Sequence, residues 1–190
     1  MVTWLAYKIL SLFGWEFEGG LPDDPKFIIA GAPHTTNWDF ILFLAALHYY
    51  DMKVSFLGKH TLFRWPFRYF FEALGGIPVN RNRPGGVVAQ VKDAFDSRDE
   101  MILVVAPEGT RGRTDFWKSG FIKIAEGVGV PVVFAAVDYP SKTVRLSPPV
   151  TYRGDLRAFM DEARAIFSNS KGLKPDNGGP VRVREEGHST

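Results

Sequence analysis

Met101-Ile-Leu-Val-Val-Ala106 runs without a polar residue into Pro107-Glu-Gly-Thr-Arg111, and the reading of this stretch decides the fold. A continuous apolar run closed by proline suits a buried central strand, and the glycine behind it suits a turn. The C-terminal end of such a strand is where α/β proteins place their sites. Upstream, Phe27-Ile-Ile-Ala30 reads as a second short buried strand, broken by Gly31-Ala-Pro33 and followed by His34-Thr-Thr-Asn-Trp-Asp39. Residues five apart on a regular α-helix lie about 140° apart around the axis, so His34 and Asp39 cannot face each other within one helix. The spacing predicts a strand, a loop carrying His34, and then a helix through the apolar stretch Phe40 to Leu47. Asp39 falls in its first turn, and Thr35, Thr36 and Asn37 offer cap side chains. From there the carboxylate can fold back onto one ring nitrogen and leave the other to accept a proton.

Further strands are predicted at Val54 to Leu57, Ile77 to Val79, Val132 to Val137 and Thr143 to Leu146. Helices lie between several strands, notably Gly85 to Ser97, and Asp155 to Phe167 reads as a closing helix. The alternation predicts the α/β class: a single domain with a mixed β-sheet flanked by helices. A chain of 190 residues with 45% apolar content can bury one substantial core. Three stretches differ in character: an N-terminal amphipathic segment over residues 1–24, the main domain over 25–168, and a polar tail over 169–190. The tail is rich in glycine and charge and is expected to be flexible and to take no part in chemistry. There is no internal repeat or P-loop, and Gly127-Val-Gly129 lacks the third glycine of a dinucleotide fingerprint.

The chemistry is bounded by what is missing. Without cysteine there are no disulfides and no thiolate metal sites, which suits a cytoplasmic location. His34, His48, His60 and His188 are scattered without ligand spacing, so no metal is predicted. Without a cysteine or a G-x-S-x-G elbow, a histidine and aspartate have no evident side-chain nucleophile to activate. His34 and Asp39 are therefore expected to deprotonate a substrate in a direct group transfer, with Glu108-Gly-Thr-Arg111 as an anion receptor.

These blocks resemble those of the glycerolipid acyltransferases, the family of the lysophosphatidic acid acyltransferases. His34 to Asp39 is similar to the family's H-x4-D block, with Thr36 where serine is more usual. Lys59, Leu62-Phe63 and Pro66-Phe67 resemble the segment after the next strand, with Thr61 in place of a frequent glutamate. Gly75-Gly-Ile-Pro-Val-Asn-Arg81 resembles the glycine-to-arginine block, and Pro107-Glu-Gly-Thr-Arg111 matches the family's most recognisable stretch. Phe116, Lys118, Gly120 and Ala125 follow as in relatives, and Val130-Pro-Val-Val133 leads to Phe134 where a second proline is common. The resemblance covers about residues 25 to 150 and identifies 25–168 as the acyltransferase domain.

It implies that His34 takes the proton of an acceptor hydroxyl attacking an acyl thioester, while Asp39 stabilises the imidazolium. For a phosphate-bearing acceptor, Lys59, Arg81 and Arg111 are the candidate cations, Gly109 allows close backbone approach, and Thr110 belongs to the same loop. Glu108 pairs with Arg111 or orders the loop. The implied substrates are a lysophospholipid, foremost 1-acylglycerol-3-phosphate giving phosphatidate, and a thioester on either acyl-CoA or an acyl-carrier protein; no cofactor is expected. The alternatives are another lysolipid or an amine-containing lipid as acceptor, a lipid hydrolase, which the missing nucleophile disfavours, and a non-catalytic lipid-binding module.

Charge and aromatic usage point to lipid. From Met52 to Lys92 there are seven Lys or Arg against one acid, Glu72, a formal +6 where the whole chain carries +2. Anionic headgroups, CoA phosphates or an acidic carrier protein would suit that face; no nucleic-acid reader motif accompanies it. Sixteen phenylalanines and five tryptophans cluster in Leu62 to Phe71 and in Trp38 to Tyr50, as core, channel wall or lipid contact. No apolar stretch reaches the roughly 18 residues of a span. Trp4 to Phe13, interrupted by Lys8 and Ser11, lacks a following cleavage site, so a signal peptide is not expected. It can lie in the interface or pack on the domain, consistent with peripheral membrane attachment.

Overall fold

The two apolar runs pair side by side: β2 (Lys26–Ala32) lies parallel to β5 (Met101–Val105), with Ile28 opposite Leu103. The computed structural model describes residues 1–59, 61, 63–66, 68–73, 75–80 and 86–188, the side chains of Lys59, Phe70 and His188 excepted. Around the central pair, the sheet takes the order β1-β7-β6-β2-β5-β3-β4, with β1 (Glu16–Glu18), β3 (Val54–Lys59), β4 (Gly76–Val79), β6 (Val132–Asp138) and β7 (Thr143–Leu146). All pairings are parallel except β6 with β7. The mixed sheet agrees with the sequence expectation. The helices are α1 (Val2–Leu12), α2 (Asp39–Tyr49), α3 (Arg68–Ala73), α4 (Gly86–Asp96), α5 (Gly120–Val128) and α6 (Leu156–Phe167).

Alternation along the strands divides the core. Ile28, Leu103, Val132 and Phe134 face Phe95, Phe121 and Phe159 from α4, α5 and α6, whereas Phe27, Ile29 and Val133 face the opposite side. On that opposite side, towards β7 and β1, α2 packs Leu42 and Ala45 in a cluster with Phe17 and Val144. Truncating fully buried Leu103 to alanine would cost about 2–5 kcal/mol. Pro78 sits within β4, which can do without its N–H because it is an edge strand. Asp155 caps α6, accepting the Ala158 N–H at 2.9 Å.

Three expectations are corrected. Gly31 does not stop β2; it pairs with Ala135, and Ala32 with Ala136, because parallel pairing to β6 carries the strand two residues further. β1, three residues long, was not expected, since so short a stretch shows no period. The tail is not loose. It forms 3-10 turns at Pro175–Asn177 and Arg184–His188, buries Val183, and pairs Glu186 with Arg164 at 2.8 Å. Its polarity reflects hydrogen bonding to the domain rather than solvation: Arg182 O accepts the Trp117 N–H at 2.8 Å.

α1 packs its inner face on α2, with Ala6 buried and the Tyr7 ring 5.4 Å from His48, while Trp4, Leu5, Ile9 and Leu12 are exposed. Among the described residues no helix is long and apolar enough to cross a membrane.

Candidate active site

β2 delivers His34 just beyond its C-terminal end, and Asp39 opens α2. Between them the chain folds back, bringing His34 Nδ1 within 3.1 Å of Asp39 Oδ2. The turn is held by the carboxylate itself: it accepts the N–H groups of Thr35 and Thr36 at 2.8 and 2.9 Å and the Thr36 hydroxyl at 3.3 Å. A further donor comes from beyond β6, where the Tyr139 hydroxyl reaches Asp39 Oδ1 at 2.6 Å. Burial alone would raise the Asp39 pKa. The hydrogen bonds from His34, Tyr139, Thr36 and Thr35 outweigh it and hold the carboxyl below its ordinary value, so Asp39 stays charged. Nδ1 faces Asp39, which leaves Nε2 as the ring's proton acceptor. Burial first, and then the donation to Asp39, push the Tyr139 phenol above its ordinary value, so it remains a donor.

The second loop leaves β5. Glu108 turns inward and is buried; its Oε2 accepts the backbone N–H of His34 at 2.6 Å. Of the two roles the sequence left open for it, the geometry gives loop ordering; among the described residues Glu108 makes no ion pair with Arg111. Burial pushes its carboxyl up to about 7 despite the His34 N–H. Gly109 has φ 68°, a left-handed conformation that favours glycine, and a Cβ there would press on Lys118 Cγ at 3.3 Å. Thr110 Oγ1 accepts the Gly112 N–H at 3.2 Å. Arg111 and Lys118 are exposed, and among the described residues neither cationic group meets an acceptor.

A cavity of about 1230 Å³ joins these pieces, lined by His34, Asp39, Gly109, Thr110, Arg111 and Lys118 and otherwise mainly by apolar side chains. Lys59 ends β3, with its side chain outside the described residues, as is the whole of Arg81. Behind the His34 loop lies the C-terminal segment: Lys174 N–H and Asn177 Nδ2 donate to Thr35, and a side chain on Gly172 would collide with that threonine. Tyr139 was not anticipated. The one signal available was its place directly after β6, the strand beside β2, because strand C-termini share one edge of the sheet. Among the described residues no group of three His, Asp or Glu side chains has metal-holding geometry.

The site therefore brings together a histidine ring oriented by a half-buried carboxylate, two cations that meet no acceptor among the described residues, and an apolar cavity. The family model described as Acyltransferase matches residues 17–138, a span containing both the His34–Asp39 loop and the Glu108–Arg111 loop. The chain belongs to the acyltransferase family. Its reaction is acyl transfer. The fold of this acyltransferase is also that of the crystallised 1-acyl-sn-glycerophosphate (LPA) acyltransferase PlsC from Thermotoga maritima. The two share a TM-score of 0.62 at 18% identity over 85% of this chain and 74% of that one. Among curated proteins no sequence matches it significantly.

Proposed function

We propose that this acyltransferase esterifies the free hydroxyl of a lysophospholipid, foremost 1-acylglycerol-3-phosphate, at a membrane surface, using acyl-CoA or acyl-carrier protein as donor. The observation that carries the reading is the convergence in one largely apolar cavity of the His34–Asp39 pair with the cations Arg111 and Lys118, which meet no acceptor among the described residues. The acceptor O–H gives its proton to His34 Nε2 as its oxygen forms a C–O bond to the thioester carbonyl carbon. The C–S bond then breaks, and the imidazolium returns the proton to the departing thiolate. Asp39 holds the ring and stabilises its charged form. Glu108, Gly109 and Thr110 shape the loop, Arg111 takes the acceptor phosphate bidentately, and Lys118 adds a point charge. Lys59 and Arg81 are proposed as further phosphate contacts on residue type and position in sequence. The exposed apolar side chains of α1, with those of Trp38 and Phe40, support peripheral attachment to lipid.

Product detection by mass spectrometry tests this: purified protein in lipid vesicles, a panel of lysolipids, and both donor types. Phosphatidate that forms with wild type and vanishes in His34→Ala is the expected result. Product from a different acceptor alone would replace the substrate, and no product from any pair would overturn the proposal.

A further inference from the structure

Resting on that reading, we propose that the enzyme holds two fatty chains at once, one on each face of its sheet, and that the arm beside α2 takes the chain the acceptor already carries. Successive side chains of a strand point to opposite faces, and the cavity is lined from both. Ile29, Leu42 and Ala46 wall it on the α2 face; Val88, Val105 and Ile124 wall it on the α4–α5 face. Both sets of walls belong to one cavity, which His34 and Gly109 line at the strand ends. At about 1230 Å³ the whole exceeds the roughly 300–1,000 Å³ of an ordinary single-ligand cleft.

The α2 arm exists because its walls are built from small residues at matched positions. Gly31 lies opposite Ala135 in the β2–β6 register, with both lining the cavity, and Ala46 lines it from the helix. A Cβ added at Gly31 would meet nothing nearer than Ala135 at 3.9 Å, so the space beside the strand is open.

Surface character decides which chain enters which arm. α2 begins at the exposed aromatics Trp38 (65%) and Phe40 (45%), and α1 packs against α2 with its own apolar side outward. A lipid acceptor can slide its chain from a bilayer into this arm without crossing water. The donor chain is left the α4–α5 arm, because two chains in one arm could not place hydroxyl and thioester carbonyl together beside His34. An acceptor without a chain would forfeit the α2 arm, losing roughly fourfold in affinity per methylene not buried.

Photolabelling of the wild-type protein in vesicles tests the assignment directly. The probes are a lysophosphatidate and a non-transferable acyl thioether of CoA, each with a diazirine at the chain end. The lysolipid is expected to label peptides of residues 39–49, and the thioether those of 86–96 or 120–128. In kinetics, Gly31→Leu should raise KM at least tenfold for long-chain lysolipid with the donor chain-length profile unchanged, while Val88→Trp should shorten the preferred donor chain. Thermal melting of each variant reports its folding. Coincident or exchanged labels overturn the two-arm assignment; if wild type still forms phosphatidate, the functional reading survives that result. Absence of both labelling and product removes both.

Discussion

The two loops that build the site are constructed in opposite ways. The loop from His34 to Asp39 is tied from several sides: Thr35 and Thr36 are buried, five donor groups converge on Asp39, and Glu108 and Asn177 grip the backbone. Gly109 to Arg113, by contrast, are all exposed, tied down by little more than the Gly109 N–H to Ala106 O, the Gly112 N–H to Thr110, and Arg113 to Gly178 O. A base must sit within tenths of an ångström of the proton it takes, whereas a cation meeting a phosphate tolerates adjustment. Fixing the first loop and freeing the second matches that asymmetry. Changes in the rigid loop should lower kcat, and changes in the exposed loop should raise KM.

Removing the His34 ring, the proposed base, is the harshest test. His34→Ala should cost about 100- to 10,000-fold in kcat with the melting temperature nearly unchanged; steady-state kinetics beside a thermal melt would expose a bystander histidine at once. Asp39→Asn should follow, with kcat down by about 100-fold or more and stability lower by about 2 kcal/mol, because an amide cannot accept from the same converging donors. Denaturant titration measures the second half of that statement.

Arg111→Ala should raise KM for a phosphate-bearing acceptor by about 10- to 100-fold and leave kcat close to wild type; Arg111→Lys should recover only part. A fall in kcat instead would erase the contrast between the loops. Tyr139→Phe removes one charge-assisted hydrogen bond and should lower kcat by about tenfold at constant KM, the signature of a positioning residue.

The remaining effect falls on stability rather than on rate, and it concerns pH. Glu108 titrates at about 7 in the folded chain against an ordinary 4.5, so folding favours its protonated form. Its contribution is present at low pH and is lost as pH rises through that window, on the order of 3 kcal/mol across it. Glu108→Gln should flatten this part of the stability curve, since the amide oxygen still accepts the His34 N–H. A curve unchanged by the substitution would mean Glu108 does not carry it.

The sheet was readable because its central strands are uninterrupted apolar runs ended by proline or glycine, and the His34–Asp39 turn because helix geometry forbids any regular alternative. Tyr139 was hidden by its distance, 100 residues from the carboxylate it contacts, in a stretch that reads only as a turn after a strand. Glu108 could be placed at a strand end but not assigned a partner, since only the fold shows which backbone N–H lies above it. Residues 169–188 misled because low hydrophobicity signals disorder only when the polar groups find no partners; here they find Thr35, Trp117 and Arg164.

That last segment has a consequence for biosynthesis. The residues that brace the His34 loop from behind, Gly172, Lys174 and Asn177, are made more than a hundred residues after His34 itself. The nascent chain can pair β2 with β5 and β6 well before the loop has its backstop. The loop that carries His34 is then complete only once Asn177 has been made, and a chain cut short before Gly172 would hold that histidine without its backing.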